Sequence, residues 1–281
     1  MIGPWDHFGA QGRPSPVIAG YLTDPAARLD ITSIIYQWMD YVMKGGAKPP
    51  ILENRINYQV MGTNAWRHAP TLQAMNDDTL TFYLRNLQSG SRLLLGPRKG
   101  TAAEFANLSV DLSDRTIVND NSIHNPLADS TVDVANGIAF ESEPLAEAIT
   151  INGSLGGTLR ATINKRDMDV GVELYERTPA GQYFQLAFYV GRASYAKSKV
   201  HRRLLVPGAI EDIPLNNTRM ISRKLSKGSR LVVVVNVNKS SSAPINYGTG
   251  TNVSDETIAD AGEPLQIRWH GSSTIRIPIH R

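Results

Sequence analysis

Between Pro25 and Lys44 apolar residues return at three- and four-residue intervals: Leu29, Ile31, Ile34, Ile35, Trp38, Met39 and Val42. That spacing predicts an amphipathic helix with one face to bury. Asp24 reads as its N-cap, Pro25 suits the first helical position, and Gly45-Gly46 supplies a stop. Lys48-Pro49-Pro50 follows as a stiff linker, which divides the chain into a first unit of residues 1–46 and a second of 47–281. From Ile51 onward the pattern changes to short alternating segments bounded by Gly, Pro, Asn, Asp or Ser. Strands are expected at 57–61, 80–84, 148–151, 157–163, 170–175, 185–190, 230–237, 266–270 and 273–279. Val232 to Val235 is apolar on both faces, as in a central strand covered by two layers. Many strands and few helices predict a mainly β chain folded as a two-sheet sandwich, with a jelly roll as the expected version. The polar stretch from Gly96 to Asn136, with Asp129 and Asp133, reads as a long ordered excursion over the surface.

Composition narrows the function classes. With 281 residues, 41% apolar and 20% charged, the chain can bury a large core. The net charge of +3 is small and dispersed. The tightest basic group, Lys197, Lys199, Arg202 and Arg203 beside His201, reads as a solvated loop or strand edge, and nucleic acid is not expected as a partner. No run approaches the roughly 18 apolar residues of a membrane helix, so no membrane partner is expected. The absence of cysteine excludes disulfides and thiolate metal sites. It leaves the compartment open.

The chemistry-bearing candidate is His7, framed by Gly3, Pro4, Trp5 and Phe8-Gly9. Restricted backbone and a bulky anchor can hold an imidazole in the fixed orientation that a general base needs. A triad histidine also needs a serine to deprotonate and a carboxylate to set its tautomer. No Gly-x-Ser-x-Gly elbow occurs. Gly153-Ser154-Leu155-Gly156 and Gly271-Ser272-Ser273 have the wrong spacing and read as turns. Asp6 adjoins His7, and neighbouring side chains diverge, so it is a weak orienting acid.

His7, His68, His124, His201, His270 and His280 are scattered, and none makes a helical i, i+4 pair. Asp167 and Asp169 have the spacing of a calcium pair on a strand, but a polar strand edge or turn is the plainer reading. Tyr247-Gly248-Thr249-Gly250-Thr251 lacks the lysine and following helix of a phosphate loop and reads as a surface loop. No metal and no cofactor is expected.

Several separated motifs, in order along nearly the whole chain, resemble the C-terminal part of a superfamily of bacterial acyl hydrolases. Its members are the X-Pro dipeptidyl-peptidases, cocaine esterases and α-amino-acid ester hydrolases. Gly3-Pro4-Trp5-Asp6-His7 is similar to the catalytic-histidine loop, and Trp38 to Gly45 to the end of a helix that follows it. Val60-Met61-Gly62-Thr63-Asn64-Ala65-Trp66-Arg67 resembles the start of the β domain and is the most specific of these motifs. Phe82-Tyr83-Leu84, Glu143-Pro144-Leu145, Ile151-Asn152-Gly153, Asp167-Met168-Asp169, Gly191 to Tyr195 and Pro244-Ile245-Asn246 resemble later strands.

The resemblance implies an α/β-hydrolase domain carrying Ser, acid and His, followed by a jelly roll beside the active site. Only His7 matches a catalytic position, because the serine and the acid have no counterpart here. Residues 1–46 would be the last loop and helix of the hydrolase domain, and 47–281 the jelly roll. The expected partners are the missing N-terminal hydrolase domain or a complementing chain, with a small ester, amide or peptide as substrate of the whole. A homo-oligomer is a further expectation, since the helix stripe is left to find cover. Two alternatives stay open: a standalone jelly-roll module binding carbohydrate or protein, with Trp66, Tyr183, Tyr189, Tyr195 and Trp269 as candidates, or one half of a split hydrolase.

Overall fold

The structure, a computed structural model, describes residues 1–216 and 218–281. Among the described residues a hydrogen-bonded network of 14 strands folds over on itself as a jelly-roll β-sandwich around one large core. Strand Asp78–Ser89 serves both layers, pairing with Thr274–His280 in its first half and with Arg92–Gly96 in its second. A register shift between Arg85 and Gln88 marks the turn from one layer to the other. In one layer Arg230–Val237 lies between Gly137–Glu141 and Asp169–Arg177, and Asp169–Arg177 pairs onward with Tyr183–Arg192. In the other, Gly156–Ile163 pairs with Leu265–His270 and Ile210–Leu215, and Leu265–His270 with Phe105–Val110.

The residues from Val232 to Val235 are fully buried, as the two-faced apolar pattern requires. Val233 and Val235 face the main core. Val232 and Val234 face a second cluster with Tyr175, closed by Val132 of the excursion. The excursion therefore acts as the covering layer for one face of the sheet. Its start is regular, since Phe105–Val110 is a strand that the sequence reading left out. Further along, Asn121 and Asn236 exchange side-chain amide bonds of 3.1 and 3.0 Å. Gly171 lies beneath them, where a Cβ would fall 2.1 Å from the Asn236 oxygen. Only glycine leaves room for that amide pair.

The helix is shorter than its periodicity predicts. It runs Ile31–Lys44, with Asp30 as N-cap accepting from the Ser33 N–H, and Gly45 left-handed at its C-terminus. Pro25–Ala27 is instead a 3₁₀ turn. Tertiary contacts explain the correction: the Ala26 and Ala27 carbonyls accept from the Trp66 and Trp5 indoles, and the Ile31 N–H bonds to Gly12. Asp24 caps no helix. Its carboxylate accepts from the Gln59 amide and the N–H groups of Gly62 and Asn64, and so ties this segment to the first β-hairpin.

Candidate functional site: the His7 loop and its surroundings

Ile2 docks on the edge of strand Ile56–Val60, donating to Asn57 and accepting from Gln59. Its side chain packs on the small core of Tyr58, Val60, Ala69 and Met75 beneath that hairpin. Trp5 donates 2.7 Å to Ala27 and stacks, tilted, 5.9 Å from Trp66 of strand Ala65–Ala69. The indole lies across Gly3, where any Cβ would stand about 2.5 Å from the ring. The Gly-Pro-Trp order is thus a packing requirement.

The loop turns at Asp6, whose carboxylate accepts from the Gly9 N–H at 2.6 Å. That bond points Asp6 away from His7. The imidazole itself is exposed, with Phe8 edge-on at 5.2 Å and itself 80% exposed. The Gln11 amide nitrogen donates to the His7 carbonyl at 3.0 Å, which fixes the amide orientation, and lies 3.3 Å from Nε2. Nε2 thus faces the Gln11 amide, and the donor and acceptor roles in that contact follow the ring tautomer. Among the described residues no carboxylate bonds Nδ1 and no serine bonds Nε2. A hydroxyl arriving at Nε2 would displace only the exposed Gln11.

Beside the loop, the helix leaves its apolar face uncovered. Ile31 is buried, whereas Ile35, Trp38 and Val42 are 48%, 42% and 59% exposed. That face borders an open cleft of about 1190 Å³, with Trp5 and Tyr41 on the same rim and Leu52 to Asn57 opposite.

The remaining sequence candidates are structural. Ser273 is fully buried and bonds both the N–H and carbonyl of Arg160, and Ser154 ends a strand paired to Met220. Asp167, fully buried, accepts from Ser194 and from Arg202 at 3.0 Å. Asp169 takes a bidentate bond from Arg192 and another from Asn246. Each carboxylate is thus saturated by its own chain, and among the described residues no group of His, Asp and Glu has metal-ligand geometry. The Tyr247–Thr251 loop does hold an anion, but the anion is the Glu256 carboxylate of the same chain. Of the proposed aromatics, Trp269 is core and Trp66 serves Trp5, while Tyr189 and Tyr195 alone share a cleft.

Sequence reasoning missed one charged cluster. Buried Glu173 accepts from Tyr175 and Gln185 and lies 3.1 Å from His124 Nε2 on the excursion. The hydrogen bond to Glu173, aided by its charge and those of Asp133 and Asp120, raises the His124 pKa above its ordinary value against the opposing effect of burial. Burial and the Glu173 charge likewise push Tyr175 far up. The only signal in the sequence was an acid two residues from a tyrosine inside a strand.

The described residues thus form a jelly roll with a solvent-facing histidine loop on one edge. Residues 52–270 match the X-Pro dipeptidyl-peptidase C-terminal non-catalytic domain, so the chain belongs to that family. His7 lies outside the matched residues. Among solved structures the chain is similar to an aminopeptidase from the marine sediment archaeon Thaumarchaeota archaeon, with 18% identity and a TM-score of 0.78 over 99% of this chain and 48% of that one. An α-amino-acid ester hydrolase gives 17% identity and a TM-score of 0.76 over 99% and 49%. A CocE/NonD family hydrolase from Staphylococcus aureus gives 15% and 0.60 over 89% and 46%. At these identities the likeness is one of fold, and the chain spans about half the length of each structure. No curated protein matches it in sequence.

Proposed function

We propose that these residues form the C-terminal portion of a serine-dependent acyl ester or amide hydrolase, in which His7 is the triad base. One observation carries this reading: His7 stands exposed on a loop that Ile2, Trp5 and Asp6 tie down, with Nε2 covered only by Gln11. From that position Nε2 takes a serine proton as the hydroxyl attacks the acyl carbon, and returns it to the leaving oxygen or nitrogen. An acid on Nδ1 would hold the tautomer. Serine, acid and oxyanion donors come from a hydrolase domain outside these residues, whose docking surface is the uncovered face of Ile35, Trp38 and Val42. The 281 residues alone are then inactive.

The test compares three proteins on p-nitrophenyl esters and aminoacyl-prolyl anilides. They are the 281-residue chain, the product of its full upstream reading frame, and the latter with His7→Ala. Expected are no turnover by the short chain, turnover by the long one, and a loss of roughly 10⁴-fold on substitution. Turnover by the short chain, or full activity of the variant, overturns the reading.

A further inference from the structure

A second concavity lies on the opposite side of Trp5. It encloses about 490 Å³ between the Ile2–Trp5 segment, the Ile18–Tyr21 turn, the excursion and strands Tyr183–Arg192 and Met220–Leu225. That volume is in the usual range for small-molecule sites, and its walls are mostly apolar. Trp5, Tyr21, Phe184 and Phe188 supply ring faces or edges. Among the described residues no acid lines it.

Two guanidinium groups reach this cleft, and they differ. Arg223 stacks 3.7 Å from the Phe184 centroid and is neutralised by buried Glu176 at 2.8 Å. Arg219 stacks 4.2 Å from the Phe188 centroid, is exposed, and makes no ion pair among the described residues. It stands where this cleft meets a second one of about 720 Å³, which Lys199 and the Glu211-paired Lys197 also line and whose lining, among the described residues, again holds no acid. The loop carrying those lysines is held in place, because Ser194 and Arg202 both bond buried Asp167. An apolar, aromatic-walled cavity thus has an exposed positive charge stacked on a ring face at one end. A guanidinium so placed presents parallel N–H donors suited to a carboxylate.

We propose that this cleft binds an aryl- or acyl-alkanoate, with its apolar body between Trp5, Tyr21 and Phe184 and its carboxylate on Arg219. The inference needs no catalytic role for His7.

The probe is 4-phenylbutanoate, set against 4-phenylbutanamide, which matches its shape without its charge, and against acetate, which has the charge without the body. Titration into the 281-residue chain is followed by calorimetry and by the Trp5 indole N–H resonance. The carboxylate should bind roughly tenfold or more tighter than the amide, with the Trp5 signal shifting. In Arg219→Gln, an exposed position whose loss breaks no ion pair, that preference should fall to about one while amide binding is unchanged. Equal binding of acid and amide by the unaltered chain, acetate binding as tightly as the aryl acid, or a preference that survives Arg219→Gln would each overturn the proposal. Failure of all of these leaves the hydrolase reading untouched, since its test is turnover.

Discussion

Val232 to Val235 and the helix stripe of Ile35, Trp38 and Val42 are comparably apolar, yet the first is fully buried and the second is about half exposed. The strand finds both covers within the chain: the sandwich core on one face, Val132 of the excursion on the other. The helix is held only near its start, through Ile31 and the segment at Gly12. Periodicity therefore reports that a face needs a partner, and says nothing of where the partner is. Each fully buried side chain of this size is worth about 1.5–3 kcal/mol. The strand realises that gain in folding, and the helix holds it in reserve for association.

Substitutions can sharpen this contrast. Phe140→Ala, in the fully buried core, should cost about 3–5 kcal/mol, read from urea midpoints; a loss below 1 kcal/mol would mean that the sandwich is loosely packed. Asp167→Ala leaves Arg202 and Ser194 without their shared acceptor and should cost about 3 kcal/mol. Asp167→Asn, which keeps one acceptor oxygen, should cost less.

The His124–Glu173 pair sets a smaller, pH-dependent difference. Because pairing raises the His124 pKa, its stabilisation is complete below the ordinary value of 6.5 and is lost as pH rises through the raised folded pKa. The gap in stability between the unaltered chain and His124→Gln should be widest at the acidic end and close with rising pH. A gap that stays constant would show that the imidazole acts by packing alone. Smallest of all, Trp38→Glu with Val42→Lys should change the unfolding free energy by no more than about 0.5 kcal/mol. The same pair should abolish any self-association seen by light scattering. A large loss of stability would mean that the helix face is covered within the chain after all.

Legibility in the sequence followed the same division. The strands at 157–163, 170–175 and 230–237 were readable because their signals, alternation in the first and apolar runs between turn residues in the others, are local. The helix end at Gly45 was readable from glycine alone. Its start was not, because indoles from Trp5 and Trp66 capture the Ala26 and Ala27 carbonyls, and those partners lie 22 and 40 residues away. Strands Arg92–Gly96, Ile210–Leu215 and Met220–Leu225 escaped notice, since Leu93 to Leu95 is short and the others mix Pro, Asp, Arg and Lys into the alternation. His7 stood out through the rigid residues around it. Arg219 did not, because the lack of an acid in the cleft around it, among the described residues, emerges only in the folded chain.

The pairing of strands has a consequence for synthesis. Phe105–Val110 hydrogen-bonds to Leu265–His270, and Asp78–Ser89 to Thr274–His280. At ribosomal speed the earlier strands wait on the order of ten seconds or more for their mates. Throughout that interval their edges are unpaired, a template for wrong neighbours. The strands from Leu265 to His280, made after their mates, are thus the ones that close the sandwich. Nascent chains stalled short of Leu265 should be recognised by chaperones, and those extended until His280 has cleared the exit tunnel should not.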